Sequence, residues 1–247
     1  MLSNKTALIT GCNRGIGKAI LEKFIDNNAN IICAVRKADK DFLDYIENQK
    51  KTKNANLRVI EIDLLNIDNI RESLQILYDS KEKIDVLVNN AGIAEGSIFE
   101  MLSIKSMREV FEVNFFSQLK LTQLLIRFLK KSKEASVINM GSISGIIPER
   151  GTISYGSSKA SLMFATKVMA NELSRYNIRV NAIAPNIVKT DMLDDMDDKT
   201  KEIFINQSYL KREGDLNDVS SLVLYLASNE SKYINGQIIR LDGGMKY

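Results

Sequence analysis

Tyr155 and Lys159 stand four residues apart in a YxxxK pair, and Ser142 precedes them in the stretch NMGSISG. If the chain is helical there, this spacing puts a phenol and an ammonium on one face, within reach of each other. A fixed cation beside a phenol favours tyrosinate and is expected to draw its pKa down from about 10, toward a range useful for acid/base work. Such a pair would be a general acid that needs no histidine, and the chain has none. The spacing alone is common on solvated amphipathic helices, so its meaning depends on the elements that position it.

A second constellation lies near the N-terminus, in TGCNRGIG. Gly11, Gly15 and Gly17, with Asn13, Arg14 and Ile16 between them, follow an apolar run and lead into the helical pattern KAILEKF. Glycine permits a tight turn and lets a dinucleotide pyrophosphate approach the helix N-terminus, where amide groups and the dipole favour anions. The GxxxGxG spacing differs from the common GxGxxG fingerprint. Arg14 sits inside this turn and Arg36 follows the second apolar run, where an NAD enzyme carries an acidic residue for the ribose 2′-hydroxyl. Guanidinium groups there pair with a 2′-phosphate, which favours NADP(H); the alternative is solvated surface charge, since Lys37 and Lys40 are also basic. Asp63 and Leu64 end the third run, a place to bond and cover an adenine ring, although Asp63 serves equally as a helix cap. Asn89, Asn90, Ala91 and Gly92 end the fourth, where asparagine amides satisfy strand-end backbone and small residues leave room for a ribose.

The elements that carry these residues are legible as a pattern. Apolar runs at 6–10, 30–35, 57–63, 84–90, 135–141, 178–184 and 236–242 read as buried parallel strands. Between them, segments 17–28, 40–51, 66–80, 106–131, 154–176 and 215–228 carry apolar residues at helical spacing. Alternation of strand and helix predicts an α/β doubly wound sheet. Residues 186–214 are acidic and polar, and read as an excursion that covers a substrate pocket.

With 247 residues the chain suits one α/β domain. Its net charge of +3 does not suggest nucleic acid or membrane as a partner. Cys12 and Cys33 cannot make a disulfide framework, and without histidine no zinc constellation is expected, so no metal is assigned. No apolar stretch has spanning length and no signal peptide is evident, so a cytoplasmic protein is expected.

Taken in order, TGCNRGIG, NNAG, Asn114 in EVNFFS, Ser142, YGSSK and NAIAPNIVKTDM closely resemble the short-chain dehydrogenase/reductase family along essentially the whole chain. The resemblance implies a single Rossmann-type domain spanning 1–247, a seven-stranded parallel sheet, a nicotinamide cofactor and a homotetramer or dimer. It implies that Tyr155 is the acid/base and that Lys159 binds the nicotinamide ribose and lowers the tyrosine pKa. Ser142 would orient the substrate carbonyl, and Asn114 would hold a water in the proton relay. Val188 and Thr190 match contacts to the nicotinamide carboxamide. Within the family the chain is most similar to bacterial 3-oxoacyl-acyl-carrier-protein reductases, and a sugar, polyol or small-alcohol dehydrogenase is the alternative. A noncatalytic dinucleotide-binding regulator is disfavoured by the presence of Tyr155 and Lys159. An acidic carrier protein calls for a basic rim, for which Lys130, Lys131, Lys133 and Arg175 are candidates. One departure is Asn186 after Pro185, where the family has glycine; asparagine tolerates a left-handed backbone.

Overall fold

The computed structural model describes residues 1–80, 82–189 and 198–245. The seven apolar runs form seven strands: β1 (Thr6–Thr10), β2 (Asn30–Val35), β3 (Leu57–Glu61), β4 (Val86–Asn89), β5 (Ala135–Met140), β6 (Ile178–Pro185) and β7 (Ile238–Leu241). They make one parallel sheet in the order β3-β2-β1-β4-β5-β6-β7. Parallel strands covered on both faces are apolar at most positions, which is why they read as near-continuous runs.

Successive residues serve opposite faces. Ala7, Ile9, Ile31, Cys33, Val86 and Val88 pack with α1 (Gly15–Ile25), α2 (Lys40–Lys53) and α9 (Leu216–Ala227). Leu8, Ile32, Leu87 and Val137 pack with α3 (Ile70–Ser73), α4 (Gln75–Ser80), α6 (Ser117–Leu129) and α7 (Ile153–Leu173). The remaining helices are α5 (Ile104–Phe111) and α8 (Asp198–Gln207). Asp215 caps α9 through a reciprocal box with Asp218.

Two helical segments differ from the pattern. Residues 66–80 break into a 3-10 turn at Ile67–Asn69, then α3 and α4. Residues 106–131 run as one rod, but Glu112–Phe116 between α5 and α6 is wound as a π-helix. Asn114 lies in this widened turn.

The chain builds β1 to β3 outward, then returns to place β4 on the other side of β1. This reversal opens a crevice at the carboxyl ends of β1 and β4, where ligands of such sheets bind. The sheet beside it carries a buried polar ladder. The Asn89 amide donates to the Thr122 hydroxyl (2.9 Å) and to Asn139 Oδ1 (2.8 Å), and the Asn139 amide donates to the Thr166 hydroxyl (2.8 Å). Replacing Asn139 with Ala strands one of the two Asn89 amide donors and removes the bond to Thr166, and is expected to lower unfolding free energy by about 2–4 kcal/mol in urea titration with an unchanged m-value. A change below about 0.5 kcal/mol would deny the ladder a structural role.

Candidate active site

Thr10 stitches the crevice together. Its hydroxyl donates to the Val88 carbonyl (3.3 Å) and accepts from the backbone N–H groups of Asn90 (3.0 Å) and Ala91 (2.9 Å). The Asn90 amide donates to the carbonyls of Thr10 (3.0 Å) and Gly11 (3.2 Å). Across from Asn90, α1 begins with no side-chain cap, its N-cap Arg14 extended. The turn passes through the left-handed region at Gly11 and Gly15 (φ 65° and 53°). Gly17 meets the Gly11 carbonyl so closely that a Cβ would clash, and such a Cβ would lie 2.6 Å from Asn90 Nδ2. The result is a concave cradle with free N–H groups at a helix start, which fits a pyrophosphate. Asn13 and Ile16 line the same turn at intermediate exposure.

Arg14 and Arg36 are both exposed, and neither makes an ion pair among the described residues. Asp63 is different from the expectation. β3 ends at Glu61, and the Asp63 carboxylate accepts the Leu65 N–H at 3.0 Å instead of capping the helical turn, whose N-cap Asn66 makes no side-chain bond. The Leu64 side chain is buried in the core, and its carbonyl accepts the Ser117 hydroxyl at 2.6 Å. It closes the core and does not lie open above a ring.

Asn114, fully buried, pairs with the main chain of Ile93. Its Oδ1 accepts the Ile93 N–H and its amide donates to the Ile93 carbonyl, both at 2.9 Å, with a further bond to the Ser158 hydroxyl at 3.0 Å. Gly92 makes this approach possible: a Cβ there would stand 3.1 Å from Asn114 Oδ1 and 3.3 Å from Lys159 Nζ.

Lys159 is 4% exposed and donates to the Met140 carbonyl at 2.7 Å. Burial lowers its pKa to about 8. Tyr155, one turn earlier on α7, has its phenol pushed above the ordinary value by burial, partly offset by a hydrogen bond with Ser142. The expected depression of the tyrosine pKa is thus reversed. Lost hydration sets the direction; the Lys159 Nζ lies 5.7 Å from the ring centroid and is directed to Met140. The phenol therefore keeps its proton at neutral pH, the form a proton donor requires. Ser142, buried and extended just past β5, also accepts the Ser144 N–H at 3.2 Å.

Val188 is buried and bridges Gly214. Thr190 lies outside the described residues, as do 191–197 of the covering segment. Asn186 has no left-handed backbone; its N–H donates to the Leu241 carbonyl at 3.1 Å, continuing the β6–β7 pairing. The proposed basic rim is misplaced within this chain. Lys130, Lys131 and Lys133 precede β5 and Arg175 follows α7, so all four sit at the amino end of the sheet, opposite Tyr155. There, Lys130 and Arg175 flank the Tyr176 ring.

Sequence reading missed four groups: the Thr10 hydroxyl, the Met140 carbonyl, Ser158 and Gln118. The Gln118 amide holds the Ala91 carbonyl at 2.8 Å. Thr10 stands within TGCNRGIG and Ser158 within YGSSK, so their position was available, but their bonds depend on the tertiary crossing.

A parallel sheet with a switch-point cradle, and a phenol, a hydroxyl and a buried ammonium beside it, defines a nicotinamide-dinucleotide oxidoreductase of Rossmann type. Residues 11–246 match the family model described as enoyl-(acyl carrier protein) reductase. The chain is 33% identical over 244 residues to 3-oxoacyl-[acyl-carrier-protein] reductase FabG of Thermotoga maritima, covering 99% of this chain and 98% of that protein. The Vibrio cholerae FabG is 30% identical over 246 residues, covering 99% and 98%. Among solved structures, a putative gluconate dehydrogenase from Agrobacterium tumefaciens superposes with a TM-score of 0.92 at 26% identity, covering 99% and 96%. A 4-hydroxyisoleucine dehydrogenase complexed with NADH gives 0.89 at 29% identity, covering 98% of each chain. The chain belongs to the short-chain dehydrogenase/reductase family, enzymes that act on CH–OH groups with a nicotinamide dinucleotide.

The Lys159 charge is complete well below its pKa of about 8 and is lost as pH rises through that value. Measured as kcat/KM for the reduced cofactor, which reports the free enzyme, carbonyl reduction should decline as pH rises through about 8. The phenol, raised above its ordinary value by burial, should add no inflection between pH 6 and 9. A profile flat to pH 9.5 would refute the lysine assignment.

Proposed function

We propose that this protein reduces a ketone to a secondary alcohol with NADPH, and that its substrate is a 3-oxoacyl group carried on acyl-carrier protein. One observation carries the chemistry: Tyr155 stands one turn before the buried Lys159 on α7, with the ammonium held by the Met140 carbonyl two residues before Ser142. The substrate class rests on the FabG relatives, similar along nearly the whole chain.

The bound nicotinamide would supply hydride to the substrate carbonyl carbon. Tyr155 then delivers its phenolic proton to the developing alkoxide. Ser142 hydrogen-bonds the same oxygen, a contribution that grows as charge develops. Lys159, with a pKa of about 8, returns a proton to Tyr155 near neutral pH. Asn114 fixes the π-helical turn against Ile93 and Gly92, and holds the water that reconnects Lys159 with solvent. Gly11, Asn13, Gly15, Ile16 and Gly17 cradle the pyrophosphate. Arg14 and Arg36 meet the 2′-phosphate, Asp63 with the Leu64 main chain meets the adenine, Asn90, Ala91 and Gly92 border the ribose, and Val188 with Thr190 holds the carboxamide.

In this reading residues 186–214 cover the substrate within a single domain of 1–247. The protein is a cytoplasmic homo-oligomer. Exposed Ile104, Phe116, Phe164 and Val168 on α5, the π-helical turn and α7 support self-association, and no helix among the described residues is long and apolar enough to cross a membrane.

A sugar or polyol dehydrogenase is the second reading. It is favoured by the fold likeness to the putative gluconate dehydrogenase and by the absence of the four proposed basic residues from this chain's own pocket mouth. NADPH consumption with an acetoacetyl thioester beside a panel of keto sugars separates the two: activity on sugars alone would replace the first reading.

Tyr155→Phe is expected to abolish turnover while NADPH binding, followed by fluorescence, stays near wild type. Retained wild-type rate would remove Tyr155 from the chemistry. Arg36→Asp should move cofactor preference toward NADH, and equal use of both cofactors by the unaltered protein would count against the arginine assignment.

A further inference from the structure

The turn after β2 holds cations and a carboxylate side by side. Arg36 and Lys37 leave the strand exposed, and neither makes an ion pair among the described residues. The next residue is held by an acid: the Ala38 N–H donates to the Glu61 carboxylate at 2.8 Å. Strand register brings that carboxylate there. Glu61 ends β3 and pairs with Val35, which ends β2, so its side chain starts level with the turn.

In sheets of this kind the adenosine ribose lies at the carboxyl end of the second strand. An acidic group there accepts from a 2′-hydroxyl, and an arginine accommodates a 2′-phosphate. This chain supplies both, the arginine from β2's exit and the acid from the neighbouring strand. We propose that Glu61 is a cofactor-selecting residue, which accepts the ribose 2′-hydroxyl of NAD(H) and opposes the 2′-phosphate of NADP(H). The proposal rests on the reading that Arg14 and Arg36 meet the 2′-phosphate.

Two effects act in the same direction. A phosphate monoester carries between one and two negative charges at neutral pH, and a carboxylate in the same turn repels it. The Ala38 N–H, a main-chain donor at this turn, is also already taken, so the phosphate must displace Glu61 to use it. A 2′-hydroxyl meets neither obstacle, because it donates to the carboxylate where it stands. Glu61 therefore holds the NADPH preference below what two guanidinium groups alone would give.

Glu61→Gln tests this, because the amide oxygen still accepts the Ala38 N–H while the charge is gone. NADPH and NADH are titrated separately by nicotinamide fluorescence at low ionic strength, with Glu61→Ala as a second variant and thermal unfolding to check that each is folded. Both variants should tighten NADPH binding about five- to tenfold, with NADH tightened by neither, and the gain should shrink at high salt. An equal shift of both cofactors would overturn the proposal and reduce Glu61 to a prop for the turn; no shift of either would overturn it too. Arg36→Ala is measured in parallel. If it leaves NADPH affinity unchanged, the arginine reading fails by itself. If it weakens NADPH while Glu61→Gln leaves the ratio of the two cofactors unaltered, only the role of Glu61 fails.

Discussion

Burying the Lys159 ammonium is the constraint around which the site is arranged. A charge withdrawn from water needs hydrogen bonds, or it shifts its pKa toward the neutral form. Here both happen: the Met140 carbonyl accepts at 2.7 Å, and the pKa falls to about 8. That bond ties α7 to the last residue of β5. It therefore fixes Ser142, two residues onward, against Tyr155, one turn back on the helix. The same ammonium crowds Gly92 at the exit of β4 and lies beside Asn114. Strand β5, the β4 exit, the π-helical turn and α7 thus share one polar junction, and a displacement of any of them alters the other three.

The polar residues beneath that junction follow from the same logic. Asn89 and Asn139 lie in central strands, fully surrounded, where an unpaired amide is costly. The Asn89 amide nitrogen bonds Asn139 and the Thr122 hydroxyl on α6, and the Asn139 amide nitrogen bonds the Thr166 hydroxyl on α7, leaving the Asn89 Oδ1 unpartnered; the helices are thus registered along the sheet by directional contacts as well as by apolar packing. Each sits one residue before a group that faces the crevice, Asn90 and Met140. A buried amide network of this kind converts a slippery helix–sheet interface into a single arrangement.

All seven strands were legible because strands covered on both faces are apolar at most positions, a signal independent of tertiary detail. The cradle was legible because Gly17 must touch Gly11, a need that only glycine meets. The π-helical turn was not, since EVNFF has ordinary helical periodicity and its widening answers the Asn114–Ile93 pairing, a contact 21 residues distant. The tyrosine pKa was misread for a related reason. Four-residue spacing gives proximity, but burial decides the direction, and burial is not encoded in YxxxK. The misplaced basic rim could have been avoided by topology: residues just before a parallel strand lie at its amino end, away from any site at the carboxyl ends.

Asn186 illustrates how strand pairing can remove a need that a turn appears to impose. The family's glycine after Pro185 suggests a left-handed backbone, which asparagine tolerates. The chain instead extends β6 by one more hydrogen bond to the Leu241 carbonyl, and residues 187–189 then pair with Gly214. With the backbone held on both sides, no left-handed residue is required at 186. What selects the side chain is then the space it enters. Asn186 lines a cavity of about 200 Å³ with Val188, Gly214, Arg212 and Asp242. Arg212 is itself paired with Asp218 at 2.6 Å, and Ile187, Val188, Ile205, Leu210 and Leu241 make the rest of the wall largely apolar. A neutral amide suits such a wall better than a further charge, whose burial there would lack a partner.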